Sequence, residues 1–233
     1  MEMPTEENPV VVHNGDCLDL LRSLPDGCVD AVITDPPYGM DWDTDSTRFT
    51  GGRPDLRRGE GRDDWGAVRN DNKPFDPSPW LQFPRVVLWG MNHYAASLPV
   101  GTTLVWLKKA DHLFGSFLSD AEVAWMKGGH GVYCFRKQFP PPSRMAEGGG
   151  RCLHPNQKPV ELMKWCLDRA GVPKGGLVFD PFMGSGTTGV ACLQTDRRFI
   201  GCELDPTHYA TAVRRLDHAS GTGKGSLFAG ATN

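Results

Sequence analysis

No stretch of this chain approaches the roughly 20 consecutive apolar residues of a membrane-crossing helix, so no membrane partner is expected. Its seven cysteines stand at 17, 28, 134, 152, 166, 192 and 202 and form no Cys-x-x-Cys pair. Neither a zinc site nor a dithiol redox centre is therefore expected. Scattered thiols suit a reducing compartment, most of them as small core residues. The first nine residues hold three glutamates and no basic residue, unlike a secretory signal. There is no internal repeat, and no glycine-rich turn leads into Gly-Lys-Ser/Thr, which excludes a phosphate-gripping P-loop.

What is present suits one α/β domain: 233 residues, 39% hydrophobic and 23% charged. The net charge of −3 is unevenly spread. Residues 1–45 hold eleven acids and one base, Arg22, whereas residues 46–233 hold twenty-four bases and seventeen acids. A locally basic face can thus attract phosphates despite the acidic total.

Short apolar runs alternate with amphipathic stretches. Val10–His13, Val29–Thr34, Arg85–Gly90, Thr102–Leu107, Leu177–Asp180 and Phe199–Glu203 read as strands. Asp16 can cap a helix striped by Cys17, Leu20, Leu21 and Leu24. Lys158–Ala170 is a helix stopped by Gly171, and Asp205-Pro206 opens a last helix. Alternation of this kind predicts a doubly wound, mostly parallel sheet in a single domain spanning 1–233. Three parts stand out: a Gly/Asp/Arg-rich loop at 39–75, a basic segment at 108–151 of short strand-like pieces, and a Gly/Thr/Ala-rich tail at 220–233 expected to be flexible. Ligands of such sheets sit at the carboxyl ends of the strands, where both unusual motifs fall.

The first motif is Asp35-Pro36-Pro37-Tyr38. Asp35 offers a carboxylate acceptor. Pro36 and Pro37 stiffen the turn, lack N–H groups and leave their carbonyls free. Tyr38 adds a flat face with a polar tip. Two fixed acceptors can engage both N–H bonds of an exocyclic amine and leave the nitrogen lone pair available for attack. A base so presented has left the duplex stack, at a cost of a few kcal/mol, of which an aromatic face recovers about 1–3.

The second motif is Asp180-Pro-Phe182-Met-Gly184-Ser185-Gly186-Thr187-Thr188. Its glycines let the backbone approach a ligand closely at a helix N-terminus. Glu203, at the end of the next strand, can accept hydrogen bonds from ribose hydroxyls, and Asp180 could hold an ammonium group. Read alone, the Gly-x-Gly-x-x-Gly spacing also suits a nicotinamide dinucleotide.

In this order the motifs resemble the β-group of exocyclic-amino DNA methyltransferases, in which the catalytic motif precedes a target-recognition segment and the cofactor motif comes last. The resemblance spans residues 10–217. It is carried by Asn14-Gly15-Asp16, by Val32 to Gly39, by His154-Pro155-Asn156-Gln157-Lys158-Pro159, by Phe179 to Thr188 and by Phe199 to Asp205. It implies a Rossmann-like fold with permuted motif order and an inserted recognition segment, S-adenosylmethionine as cofactor and double-stranded DNA as partner. It further implies that Asp35 and the Pro36 carbonyl hold the target amine, that Tyr38 stacks on the flipped base, and that Asp16 faces the cofactor's adenine. Lys158 with Asn156 and Gln157 would line the methionine carboxylate. Phe182, Gly184, Ser185, Gly186, Thr187 and Thr188 would cradle the cofactor. Asp in the first motif position leans toward adenine N6, and Ser toward cytosine N4.

Arg48, Arg53, Arg57 and Arg58 in the loop, and Lys108, Lys109, Arg136, Lys137 and Arg144 in the basic segment, are the expected DNA contacts. The resemblance places the protein in the cytoplasm of a prokaryote or phage host. It is compatible with a homodimer, and with a companion restriction endonuclease or none. The alternatives are a cytosine-N4 enzyme, a nicotinamide-dependent oxidoreductase and a non-catalytic DNA-binding relative.

Overall fold

The computed structural model describes residues 2–41, 71–116, 119–149 and 157–221. The strands are β1 (Val10–Asn14), β2 (Ala31–Thr34), β3 (Val86–Trp89), β4 (Thr102–Leu107), β5 (Ala121–Met126), β6 (Val132–Arg136), β7 (Leu177–Asp180) and β8 (Arg198–Glu203). The α-helices are α1 (Cys17–Ser23), α2 (Pro141–Glu147), α3 (Val160–Arg169), α4 (Thr187–Leu193) and α5 (Pro206–Ser220).

The helix starts follow local chemistry. Asp16 caps α1 by accepting from Leu18 N–H, and Asp205 caps α5 by accepting from Thr207 and His208 N–H, with Pro206 in the first turn. Gly221, at φ 70°, closes α5 in a left-handed conformation.

The eight strands form one sheet in the order β1-β8-β7-β2-β3-β5-β4-β6. Pairing is parallel from β1 through β3 and again between β4 and β6, while β5 runs antiparallel to both neighbours. This is the Rossmann-like, mostly parallel arrangement expected from the sequence. Every residue of β2, β3 and β7 is buried, because helices and loops cover both faces. Ile33, Val87, Trp89 and Val178 pack on one face against Leu162, Met163 and Leu167 of α3 and Leu216 of α5. Val32, Leu88, Phe179 and Ile200 pack on the other against Leu20, Trp80 and Tyr94. Each large apolar side chain so buried contributes about 1.5–3 kcal/mol.

The basic segment 108–151 supplies two strands of this sheet. Of these, β5 lies inside it, with Ala124 and Trp125 buried, and β6 forms its edge. The recognition segment expected there is thus built partly from the sheet itself. Its outlying described parts are β6, α2 and the turn at 108–116. Among the described residues no helix is long and apolar enough to cross a membrane.

Candidate active site

β2 and β7 are parallel neighbours, with Ala31 opposite Val178 and Val32 opposite Phe179. The two motifs therefore leave the sheet at the same edge. Their junction is a buried hydrogen bond: Thr34 Oγ1 donates to Asp180 Oδ1 over 2.6 Å. Asp180 also accepts from Phe182 N–H at 3.1 Å. Burial raises its carboxyl to about 6, against the opposing pull of hydrogen bonds from Thr34, Thr188 and Phe182. Asp180 is a brace beneath the glycine turn.

Beyond Thr34 the chain turns through buried Pro36. Both oxygens of Asp35 are engaged: Tyr38 Oη donates to Oδ1 and Lys158 Nζ to Oδ2. The Tyr38 ring stacks on His93 with centroids 4.7 Å apart and planes 9° from parallel. It also lies on Gly90, where φ is 76° and a Cβ would meet the ring at 2.0 Å, so only glycine fits. Burial, and then the charges of Asp35 and Glu122, push the phenol pKa well above its ordinary value and keep Tyr38 an O–H donor. Gly39 N–H donates to Asp71 at 2.8 Å, which ties down the exit of the motif.

Lys158 leads into α3 and is 7% exposed. Besides Asp35 it pairs with Glu122 of β5 at 3.0 Å, and Glu122 in turn takes Lys108 at 2.9 Å. Burial opposes the charge on Glu122, but Lys158 and Lys108 outweigh it and hold the carboxyl down at about 2. Burial likewise opposes the Lys158 charge, yet Asp35 and Glu122 raise its pKa above the ordinary ammonium value.

The glycine turn after β7 carries left-handed Gly184 (φ 51°) and Gly186 (φ 76°). A Cβ on Gly189 would meet Leu216 and Phe199 at 2.7 Å, so this glycine lets α4 settle against α5 and β8. Glu203 braces the turn, accepting from Gly184 N–H through one oxygen and Asp205 N–H through the other, each at 2.9 Å. Asn14 and Gly15 both donate to the Glu203 carbonyl, at 2.7 and 3.1 Å, which sets Asp16 beside the same strand end. Arg215 of α5 reaches under the turn from behind: its Nη1 donates to Thr187 Oγ1 at 2.7 Å and to Ser185 Oγ at 3.2 Å. Its other terminal nitrogen lies 3.4 Å from Glu147. Gln157 is buried with its amide beside the Glu147 carboxylate.

Residues 136–214 match a family model described as DNA methylase, of the N6/N4 class. The chain is 26% identical over 213 residues to YubD of Escherichia coli (strain K12), a methylase by inference, covering 87% of this chain and 88% of that one. Over these residues the chain is similar to the N6/N4 DNA methylase family. Its fold is shared with solved structures. One is the M1.HpyAVI–SAM complex (TM-score 0.54, 20% identity, 89% of this chain and 99% of that chain). Another is the cytosine-N4-specific PvuII DNA methyltransferase (TM-score 0.56, 16% identity, 89% of this chain and 86% of that chain).

The structure brings Asp16, Asp35 to Tyr38, Lys158, Asp180 to Thr188 and Glu203 to one edge of the sheet. Three residues that the sequence left unassigned join them. They are Glu122 of β5, His93 stacked on Tyr38, and Arg215 of α5. Nothing in the linear pattern marked the first two. For Arg215 the signal was its place beside the buried stripe of α5.

The expected DNA contacts divide. Arg48, Arg53, Arg57, Arg58 and the cofactor candidate Asn156 lie outside the described residues. Lys108 and Lys109 pair with Glu122 and Asp120, each at 2.9 Å. Arg136 pairs with Asp111, Lys137 with Glu161, and Arg144 donates to the Phe139 carbonyl. Trp80 is core, 1% exposed. The cysteines are mixed: 166, 192 and 202 are buried, 17 and 28 half-buried, and 134 exposed.

Proposed function

We propose that this methylase transfers a methyl group from S-adenosylmethionine to the exocyclic N6 of an adenine flipped out of duplex DNA. The observation that carries the proposal is the adjacency of Asp35-Pro36-Pro37-Tyr38 and the glycine turn, bonded together through Thr34 and Asp180.

The donor set fits the cofactor. Asp16 and Glu203 stand at neighbouring strand ends as acceptors for hydroxyl and amino groups, and the left-handed glycines leave the turn open to close approach. Thr187 and Ser185 accept from Arg215, so their own O–H bonds are free to point at a carboxylate. When bound, S-adenosylmethionine supplies an electrophilic methyl group on a sulfonium. Asp35 and the Pro36 carbonyl accept the two N–H bonds of the target amine and turn its lone pair toward that methyl. Tyr38, held by its stacking on His93 and its packing on Gly90, borders the base. Positioning and fixed charge, rather than covalent chemistry, do the work. The buried thiols of Cys166 and Cys192 have pKa values raised by burial and stay neutral, in keeping with a direct displacement that needs no cysteine.

Adenine is favoured by the aspartate in the first position of the motif. Cytosine N4 is the second reading, because the PvuII neighbour is cytosine-N4-specific and the same acceptor pair suits either amine. The test is to digest DNA from cells expressing the chain and chromatograph the nucleosides. N6-methyladenine is the expected product, and N4-methylcytosine would assign the second reading. Neither product, with DNA binding intact, would mean a non-catalytic relative. Saturable binding of a nicotinamide dinucleotide in place of S-adenosylmethionine would mean an oxidoreductase.

A further inference from the structure

Asp35 serves an amine as a hydrogen-bond acceptor, so its oxygens must be held where the amine arrives. It is 25% exposed in its side chain and shares Lys158 with a second carboxylate, Glu122. Two carboxylates that share one cation repel each other. Lys158 sits between them. Its ammonium donates to Asp35 and pairs with Glu122, and the nitrogen lies over the Trp89 ring, 5.6 Å from its centre. The contacts in place are thus to carboxylates of β5 and of the first motif, whereas the family resemblance implied a cofactor carboxylate for this residue. Lys108, Glu122, Lys158 and Asp35 form a line of alternating charge that sums to zero and ends on the motif.

We infer that Lys158 is a positioning residue: anchored by Glu122 as its counter-ion, it holds the Asp35 carboxylate in place and aimed at the target amine. This inference rests on Asp35 being the amine acceptor. The other groups that face the cluster are Tyr38 and Tyr94, His93 stacked on Tyr38, Asp180 of β7 and Cys166 of α3. None of them supplies a second permanent cation beside Asp35.

The experiment is the pH profile of single-turnover methylation of duplex DNA, alongside calorimetric titration with S-adenosylhomocysteine. Lys158→Met should slow transfer at least fiftyfold at pH 7 and move the acid limb upward by about one unit or more, the size expected when an ion-pair partner is lost. Affinity for S-adenosylhomocysteine should stay within threefold. Glu122→Gln should move the limb downward, because Lys158 then serves Asp35 alone. A limb that stays in place in either folded variant overturns the inference. So does a tenfold loss of S-adenosylhomocysteine affinity in Lys158→Met, which would return Lys158 to the cofactor. If Lys158→Met does not fold, Glu122→Gln decides by the direction of its shift. Wild-type rates in Asp35→Ala would instead refute the reading of Asp35 itself, and so separate the two failures.

Discussion

Thr34 and Asp180 stand 146 positions apart and share a hydrogen bond of 2.6 Å between the ends of adjacent strands. One precedes the turn proposed to present the base, and the other begins the turn proposed to hold the methyl donor. The bond is therefore a direct reading of how closely the two half-sites are registered. Asp180→Asn keeps an acceptor for Thr34 while removing the charge. The Asp180 carboxyl is raised to about 6 in the folded state from 3.8, so its contribution to stability is full below about 3.8 and is lost as pH rises through about 6. Urea titrations should show the wild type losing that increment between pH 4 and 6, and Asp180→Asn losing less. Parallel pH profiles for the two would contradict this account of Asp180.

Asp35→Ala should abolish methyl transfer, because no other side chain at the end of β2 can accept the amine's second N–H bond. Affinity for S-adenosylmethionine should remain within a few-fold, since Asp35 faces the base. Labelled-methyl incorporation and calorimetry, run on the same preparation, check both halves.

Glu203→Ala should weaken cofactor binding by about 1.5–3 kcal/mol, as for lost hydrogen bonds to a charged group. It also frees the Gly184 and Asp205 N–H groups, so thermal stability should fall together with affinity. Unchanged affinity on titration would remove Glu203 from the site.

DNA affinity should fall steeply with salt, and a flat dependence would contradict the basic-face reading. The internal pairing grades the individual residues. Arg136, with its side chain 52% exposed, can exchange Asp111 for a phosphate. Arg136→Gln should therefore lower the slope of log affinity against log salt by about 0.9. Lys108, 27% exposed and engaged by Glu122, should leave the slope unchanged when replaced by Gln.

The strands and helices that flank the motifs were readable because their signals are local. Asp205-Pro206 caps and opens α5, Gly171 follows α3, and Val32-Ile33 announces a doubly buried strand. The two motifs were equally legible, since each is a run of residues with unusual backbone or acceptor chemistry. What the linear pattern hid are side-chain partners from distant positions. Lys158 was legible as a site residue from its motif, but its contacts with residues 123 positions and 36 positions earlier were not. Pairing of that kind depends on which strands become neighbours, and periodicity carries no information about it. The same limit applies to Glu122: its place in β5, an internal antiparallel strand, emerges only from the sheet order.

In that order β8 and β7 sit between β1 and β2. The first and second strands to be made are thus separated by the seventh and eighth, and β1 has no other neighbour in the sheet. On the ribosome, the N-terminal third must wait for the C-terminal quarter before β1 can find any partner. Assembly then closes long loops before long-range contacts reward it, a topology associated with slow folding. A nascent chain cut short before residue 177 would hold the Asp35–Tyr38 turn on a strand with one flank bare, without the glycine turn that completes the proposed site.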